Sequence, residues 1–115
     1  MSTLRFAIFG DSLLSRSRCT AIQEHPGTEV GPVLSSKDVE AAGERGIKDM
    51  ITPGDAEAAI IALPPTLAYS TSVALLETGL HVLVDLSAMR SVEDIVNLRA
   101  AERTSRAVLK FTGGL

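Results

Sequence analysis

A doubly wound α/β domain, a mostly parallel sheet layered between helices, is the fold class that this sequence predicts. Three observations carry that prediction. Short apolar runs (Leu4 to Phe9, Ala58 to Leu63, His81 to Val84) alternate with longer helix-compatible stretches, the order of strand–helix–strand units. The run at Ala58 is apolar at every position rather than at alternate ones, as a strand covered on both faces requires. Turn residues (Gly10, Pro64-Pro65, Thr78-Gly79) stand where those runs or the following helices end.

Along the chain, Leu4 to Phe9 reads as a buried strand running into the turn Gly10-Asp11-Ser12. Residues 13–24 suit a helix, stopped by His25-Pro26-Gly27, and a second strand follows from Glu29 to Leu34. Lys37 to Gly46 reads as a short polar helix, Lys48 to Ile51 as a brief third strand and Thr52 to Asp55 as a turn. Leu67 to Glu77 is a helix with Gly79 at its C′ position, and His81 to Val84 is the next strand. Ser91 caps a further helix. Glu93 and Asp94 lie at its positive end and Arg99, Arg103 and Arg106 at its negative end, while Val92, Ile95 and Val96 form its apolar stripe. Val108 to Phe111 closes as the last strand. The class implies the strand order 3-2-1-4-5-6 with right-handed crossovers. Pro32 cannot donate to a ladder, and the stretch from Lys48 to Asp55 is short. Pro32 is therefore expected at a bulge or free edge, with the third strand short or missing.

With 115 residues there is room for one domain, and 45% hydrophobic against 22% charged residues excludes wholesale disorder. A net charge of −3 and only four aromatics (Phe6, Phe9, Tyr69, Phe111) argue against a nucleic-acid surface. No apolar run is long enough for a membrane span, and a lone cysteine, Cys19, suits a reducing compartment; a cytoplasmic protein is expected. Cys19, His25 and His81 lack metal-ligand spacing, so no metal site is expected. His81 and Tyr69 read as packing residues, and His25 as a helix-end imidazole.

The run Ala58 to Ser87 combines a buried strand, Pro64-Pro65, a helix ending in Gly79, and a strand opening His81-Val82. It resembles the nucleotide-binding domain of the glucose–fructose oxidoreductase and inositol dehydrogenase (Gfo/Idh/MocA) family, and the resemblance extends from Leu4 to Phe111. It implies a Rossmann-like, NAD(P)-binding domain of an oxidoreductase, spanning residues 1–115 without the family's second, substrate-binding domain. It places Gly10, Ser12 and Leu13 at the pyrophosphate, Ser35, Ser36 and Lys37 at the adenosine ribose, and Leu63, Pro64 and Pro65 toward the nicotinamide.

Departures from the family pattern set further expectations. The dinucleotide fingerprint G-x-G-x-x-G/A becomes Gly10-Asp11-Ser12-Leu13-Leu14-Ser15, and a Cβ at Ser12 obstructs the pyrophosphate, so binding should be weak. Leu86 stands where the family has its catalytic lysine, and Ala68 where it usually has histidine. A leucine can move no proton, so no catalytic residue is assigned and no turnover is expected from this chain alone. Ser35-Ser36-Lys37 offers hydroxyls and an ammonium without a carboxylate, which leans toward NADP over NAD. The same residues also suit a cap on the following helix.

Two other classes compete. One is a non-catalytic Rossmann-like interaction or assembly module that has lost its cofactor. The other, more remote, is a GDSL-type hydrolase, spelled by Gly10-Asp11-Ser12-Leu13 but lacking that family's Asp-x-x-His. Val108, Leu109 and Phe111 are expected to be partly uncovered on an edge strand, open to a homodimer or a partner protein or domain.

Overall fold

The computed structural model describes residues 4–10, 24, 27–51 and 55–112. Apart from Glu24, which is helical, the helix expected at 13–24 lies outside the described residues, as do Ser12, Leu13, Cys19 and His25.

Five strands form one parallel sheet: β1 (Leu4–Phe9), β2 (Thr28–Leu34), β3 (Ala58–Ile61), β4 (His81–Asp85) and β5 (Leu109–Thr112), in the order β2-β1-β3-β4-β5. This is the expected doubly wound order with its third strand missing. Of the residues expected to form that strand, Lys48 to Met50 instead finish helix α1 (Ser36–Met50), and Ile51 is its C-cap, where the backbone turns extended. Ile47 and Ile51 are both buried in the core, and Lys48 reaches Glu77 at 3.0 Å. Helix α1 itself is broken at Gly43, whose φ of 68° and ψ of −177° no helix contains.

Without a third strand, β2 is an edge. Its register slips opposite β1: Phe6 pairs with Val30, but Ile8 pairs with Val33. Gly31 and Pro32 thus both face the single residue Ala7, a β-bulge where the missing N–H of Pro32 costs no regular ladder bond.

Helix α2 (Pro65–Glu77) closes with Gly79 at the C′ position; Gly79 donates to Leu76 O at 3.0 Å and Leu80 to Leu75 O at 3.1 Å. Helix α3 (Val92–Thr104) precedes β5. The three helices α1, α2 and α3 among the described residues pack on one sheet face, where Ala7, Phe9, Ala59, Ile61, Val82, Val84 and Leu109 meet Val39, Ile47, Leu75, Leu76 and Leu98 in a single core. Tyr69 packs against that core, as expected. The stripe expected on α3 is corrected: Val92 and Val96 are 74% and 59% exposed, and the inward positions are Asp94 and Leu98. Asp94 is tolerated inside because its carboxylate accepts the Arg90 N–H at 3.1 Å and lies 3.6 Å from the Arg90 guanidinium.

The opposite sheet face carries a second, smaller cluster, Ile8 and Ile60 with Phe6, Val30 and Leu83. Toward the amino ends of the strands this face holds an open, apolar groove of about 480 Å³, lined by Leu4, Phe6, Ala58, Leu83, Val108 and Lys110 among others.

Candidate functional site

All five strands run the same way, so their carboxyl ends share one edge of the sheet. The chain leaves β1 for β2 on one side, then returns past β1 to β3 on the other. The connections diverge there, which makes the carboxyl end of β1 the topological switch point, where open α/β sheets form their ligand crevice. Two short backbone bonds fasten its walls: the Gly10 N–H donates to Leu34 O at 2.7 Å, and the Ala62 N–H donates to Phe9 O at 2.7 Å. Gly10 has φ +133°, and any Cβ there would overlap the Ala62 carbonyl. The turn after β1 is therefore possible only with glycine.

The residues expected at the site divide as follows. Gly10, Ser35, Leu63, Pro64 and Pro65 all lie at the carboxyl ends of β1, β2 and β3. Leu63 is buried, whereas Pro64 and Pro65 are exposed at the start of α2. Pro64 is the N-cap of α2 and supplies no side-chain cap, unlike Ser35 on α1 and Ser91 on α3. Its carbonyl accepts the N–H groups of Leu67 and Ala68. Ser36 and Lys37 open α1, with Lys37 exposed.

The serine cluster takes part in a helix cap. Ser35 Oγ accepts the Asp38 N–H at 3.1 Å, and Asp38 Oδ2 accepts the Ser35 N–H at 3.0 Å, a reciprocal capping box. The cap reading of Ser35 is thus the structural one, and a carboxylate does stand at this end of β2. The Ser35 N–H, then the Ser35 hydroxyl, hold the Asp38 carboxyl below its ordinary range. The spacing Ser-x-x-Asp signals such a box in the sequence itself.

At the end of β4, Asp85 accepts both the N–H and the hydroxyl of Ser87, at 3.0 and 2.9 Å, and winds Leu86–Ala88 into one 3₁₀ turn. Leu86, at the position matched to the family's lysine, therefore lies on the same edge as Gly10 and Pro64. Ala68 is fully buried in the core.

His81 starts β4, at the opposite end of the strand and about 13 Å from its carboxyl end. Its Nδ1 accepts the Val108 N–H at 2.9 Å, which leaves the ring proton of a neutral imidazole on Nε2. It is a structural residue, as expected, but an exposed one rather than a buried one. The apolar groove lies toward this same end, away from the crevice.

The open edge expected at β5 is corrected at Leu109 alone. Leu109 is 2% exposed. Its N–H donates to Glu102 Oε2 at 2.7 Å and its carbonyl accepts from Arg99 at 3.2 Å. The Arg99 guanidinium also lies 5.2 Å from the centre of the Phe111 ring. Helix α3 thus occupies the Leu109 backbone groups, while Val108, 50% exposed, and half-buried Phe111 stay partly uncovered, as expected.

No family profile and no curated protein matches this sequence. Solved structures do match its fold. The WlbA dehydrogenase from Bordetella pertussis, determined in complex with NADH and UDP-GlcNAcA, superposes with a TM-score of 0.80 at 21% identity, over 96% of this chain and 37% of that one. An NAD-binding protein from Listeria innocua gives a TM-score of 0.80 at 18% identity, over 96% and 34%. Apo scyllo-inositol dehydrogenase from Lactobacillus casei gives 0.77 at 16%, over 96% and 36%. At such identities the likeness shows the fold, a Rossmann-like domain, and this chain spans about a third of the length of those proteins.

Proposed function

We propose that this chain is the nicotinamide-dinucleotide-binding unit of an oxidoreductase of the glucose–fructose oxidoreductase and inositol dehydrogenase type, and that it is not catalytic by itself. The observation that carries this reading is the crevice at the carboxyl end of β1, closed below by the Gly10–Leu34 and Phe9–Ala62 bonds. The residues there fit a dinucleotide. Gly10 permits the tight turn, α2 begins without a side-chain cap, and exposed Pro64 and Pro65 offer an apolar lip. Gly10, Ser12 and Leu13 would hold the pyrophosphate, Ser36 and Lys37 the adenosine ribose beside the Ser35 cap, and Leu63, Pro64 and Pro65 the nicotinamide. The bound cofactor would supply hydride transfer. This chain's residues would orient it, and Leu86 would move no proton.

Titration calorimetry with NAD and NADP tests the reading. Binding in the high-micromolar to millimolar range is expected, weakened by the Ser12 side chain, and Ser12→Gly should tighten it. If neither nucleotide binds at millimolar concentration, the reading fails and a cofactor-free interaction module takes its place.

A further inference from the structure

We propose that the apolar groove on the sheet face opposite α1, α2 and α3 is a docking site for an acidic amphipathic helix supplied by a partner polypeptide. The inference is independent of the dinucleotide reading, because the groove lies toward the amino ends of the strands and the crevice at their carboxyl ends.

Strand register sets the shape of the groove. Phe6, Ala58 and His81 stand side by side across β1, β3 and β4, with Val108 beside His81 on β5. Strands lie about 4.8 Å apart, so Phe6 and His81 are about 10 Å apart with only the Ala58 methyl between them. That dip takes one large side chain from a convex partner. Leu4 and Val108, 39% and 50% exposed, leave further apolar surface uncovered beside it. An added strand finds no partner here, because β3 and β4 are interior strands paired on both sides. A small molecule would stay wet along the open side, whereas small-molecule pockets cover roughly 70–90% of their ligands. A helix presents its apolar residues as a ridge and suits a groove of this form.

Charge selects the kind of helix. The two polar side chains that line the groove, His81 and Lys110, are both donors. His81 Nδ1 is taken by the Val108 N–H at 2.9 Å, which leaves Nε2–H to donate. Lys110 is exposed and forms no ion pair among the described residues. Glu57 and Glu29, near the same end, are engaged by the Arg5 N–H at 2.7 Å and the Arg5 Nε at 2.8 Å. Unpaired donors beside apolar surface call for carboxylates on the partner. Lys110 lies two strands across and two residues along from Ala58, about 12 Å, or roughly two helical turns. An acidic residue about seven or eight positions from the anchoring side chain therefore meets Lys110. A second copy of this chain fits less well. The valine ridge of α3, Val92 and Val96, shares its face with Arg103, which would meet Lys110 with like charge. Two grooves set face to face would oppose dip to dip and bring both Lys110 side chains into one interface.

The test is a fluorescence-anisotropy titration of the whole chain with two labelled helical peptides of about 18 residues, long enough to hold a helix. Both carry the same leucine stripe, flanked by glutamates in one and by lysines in the other. Amide NMR signals locate the contact, and thermal unfolding of each variant is measured in parallel. The glutamate peptide should bind in the micromolar range and shift the signals of Phe6, Ala58, Leu83 and Val108 while leaving Gly10 unmoved. Val108→Asp changes an exposed side chain and keeps the backbone bond to His81; it should weaken binding about tenfold or more. Lys110→Glu should move the ratio of the two affinities toward the lysine peptide by roughly five- to tenfold at low salt and less at moderate salt. Val96→Asp, on the outer face of α3, should change neither. Equal binding of the two peptides by the parent, an effect of Val96→Asp without one of Val108→Asp, or no binding of the glutamate peptide at millimolar concentration overturns the inference. A parent that sediments as a dimer, with Val108→Asp a monomer, also overturns it and gives the groove to a second copy.

Discussion

Glu102 carries the seam between α3 and β5, and removing it should cost about 2 kcal/mol. Its Oε2 accepts the Leu109 N–H at 2.7 Å, and its Oε1 accepts from Arg99 at 3.0 Å. Leu109 is 2% exposed, so in Glu102→Ala its N–H loses its carboxylate partner at an almost dry position. A hydrogen bond to a charged group contributes about 1.5–3 kcal/mol. The Arg99 pair, with side chains 45% and 23% exposed, adds about 0.5 kcal/mol. Alanine returns a few tenths through helix propensity. For a chain of this size the sum lowers Tm by roughly 8 °C in calorimetry or circular dichroism.

The pH dependence sharpens the test. The Leu109 N–H, assisted by Arg99 and opposed by burial, holds the Glu102 carboxyl below its usual range. A depressed folded value means that the unfolded chain takes up the proton first. The stabilisation is therefore complete above the ordinary glutamate pKa of about 4.5 and declines as pH falls from there through the folded value. Glu102→Gln keeps a neutral acceptor, so its deficit against the parent should be about 1 kcal/mol at pH 7 and should shrink steadily below pH 4.5. An alanine deficit under 0.5 kcal/mol, or a glutamine deficit that stays constant with pH, would refute the seam argument.

Other substitutions probe single contacts. Gly10→Ala sets a side chain at φ +133° against the Ala62 carbonyl and should destabilise by about 3 kcal/mol or more in urea; a loss below 1 kcal/mol would show that the turn tolerates other conformations. Thr71→Val should stabilise by about 1 kcal/mol, because the Thr71 hydroxyl is buried without a partner, and a lower Tm would mean that the hydroxyl is satisfied in solution. Leu86→Lys should produce no polyol-dependent reduction of NAD or NADP by this chain alone, since proton handling without substrate positioning supplies little of the rate; measurable turnover would contradict it.

What the sequence revealed was local. Pro32 announced a bulge because proline lacks a donor, and Thr78-Gly79 announced a helix end because the C′ position selects glycine. The unbroken apolar run at Ala58 announced a strand covered on both sides. What stayed hidden depended on partners distant in the chain or on the rotation of a helix. Lys48 to Ile51 is too short to show either period, and Ile47 and Ile51, four residues apart, would share a face in a helix and in a strand alike. Val92 and Val96 have helical spacing, yet the packing of Leu98 turns them outward. The cover on β5 joins Glu102 to Leu109 across a chain reversal that no pattern encodes. At the candidate site, Gly10 and Pro64 were legible from turn chemistry. The capping box of Ser35 and Asp38 was legible as well, through Ser-x-x-Asp, but only once the helix start was fixed at Ser36 rather than Lys37.

Losing the third strand leaves the crevice untouched, and the order of the sheet explains why. The missing strand would sit outside β2, whereas the crevice lies on the inner side, between the ends of β1 and β3. Its walls depend on Leu34, Gly10, Phe9 and Ala62, each bonded across β2-β1-β3. The edge position does fall on β2, and the bulge at Gly31-Pro32 answers it by breaking the regular row of donors that a foreign strand would pair with. At the far edge Arg99 and Glu102 occupy the Leu109 backbone. Both rims of the sheet are thus blunted by side chains and bulges that take no part in the carboxyl-end crevice. Substitutions at the rims should change association and stability while leaving nucleotide affinity alone, and those at Gly10 should act on the crevice.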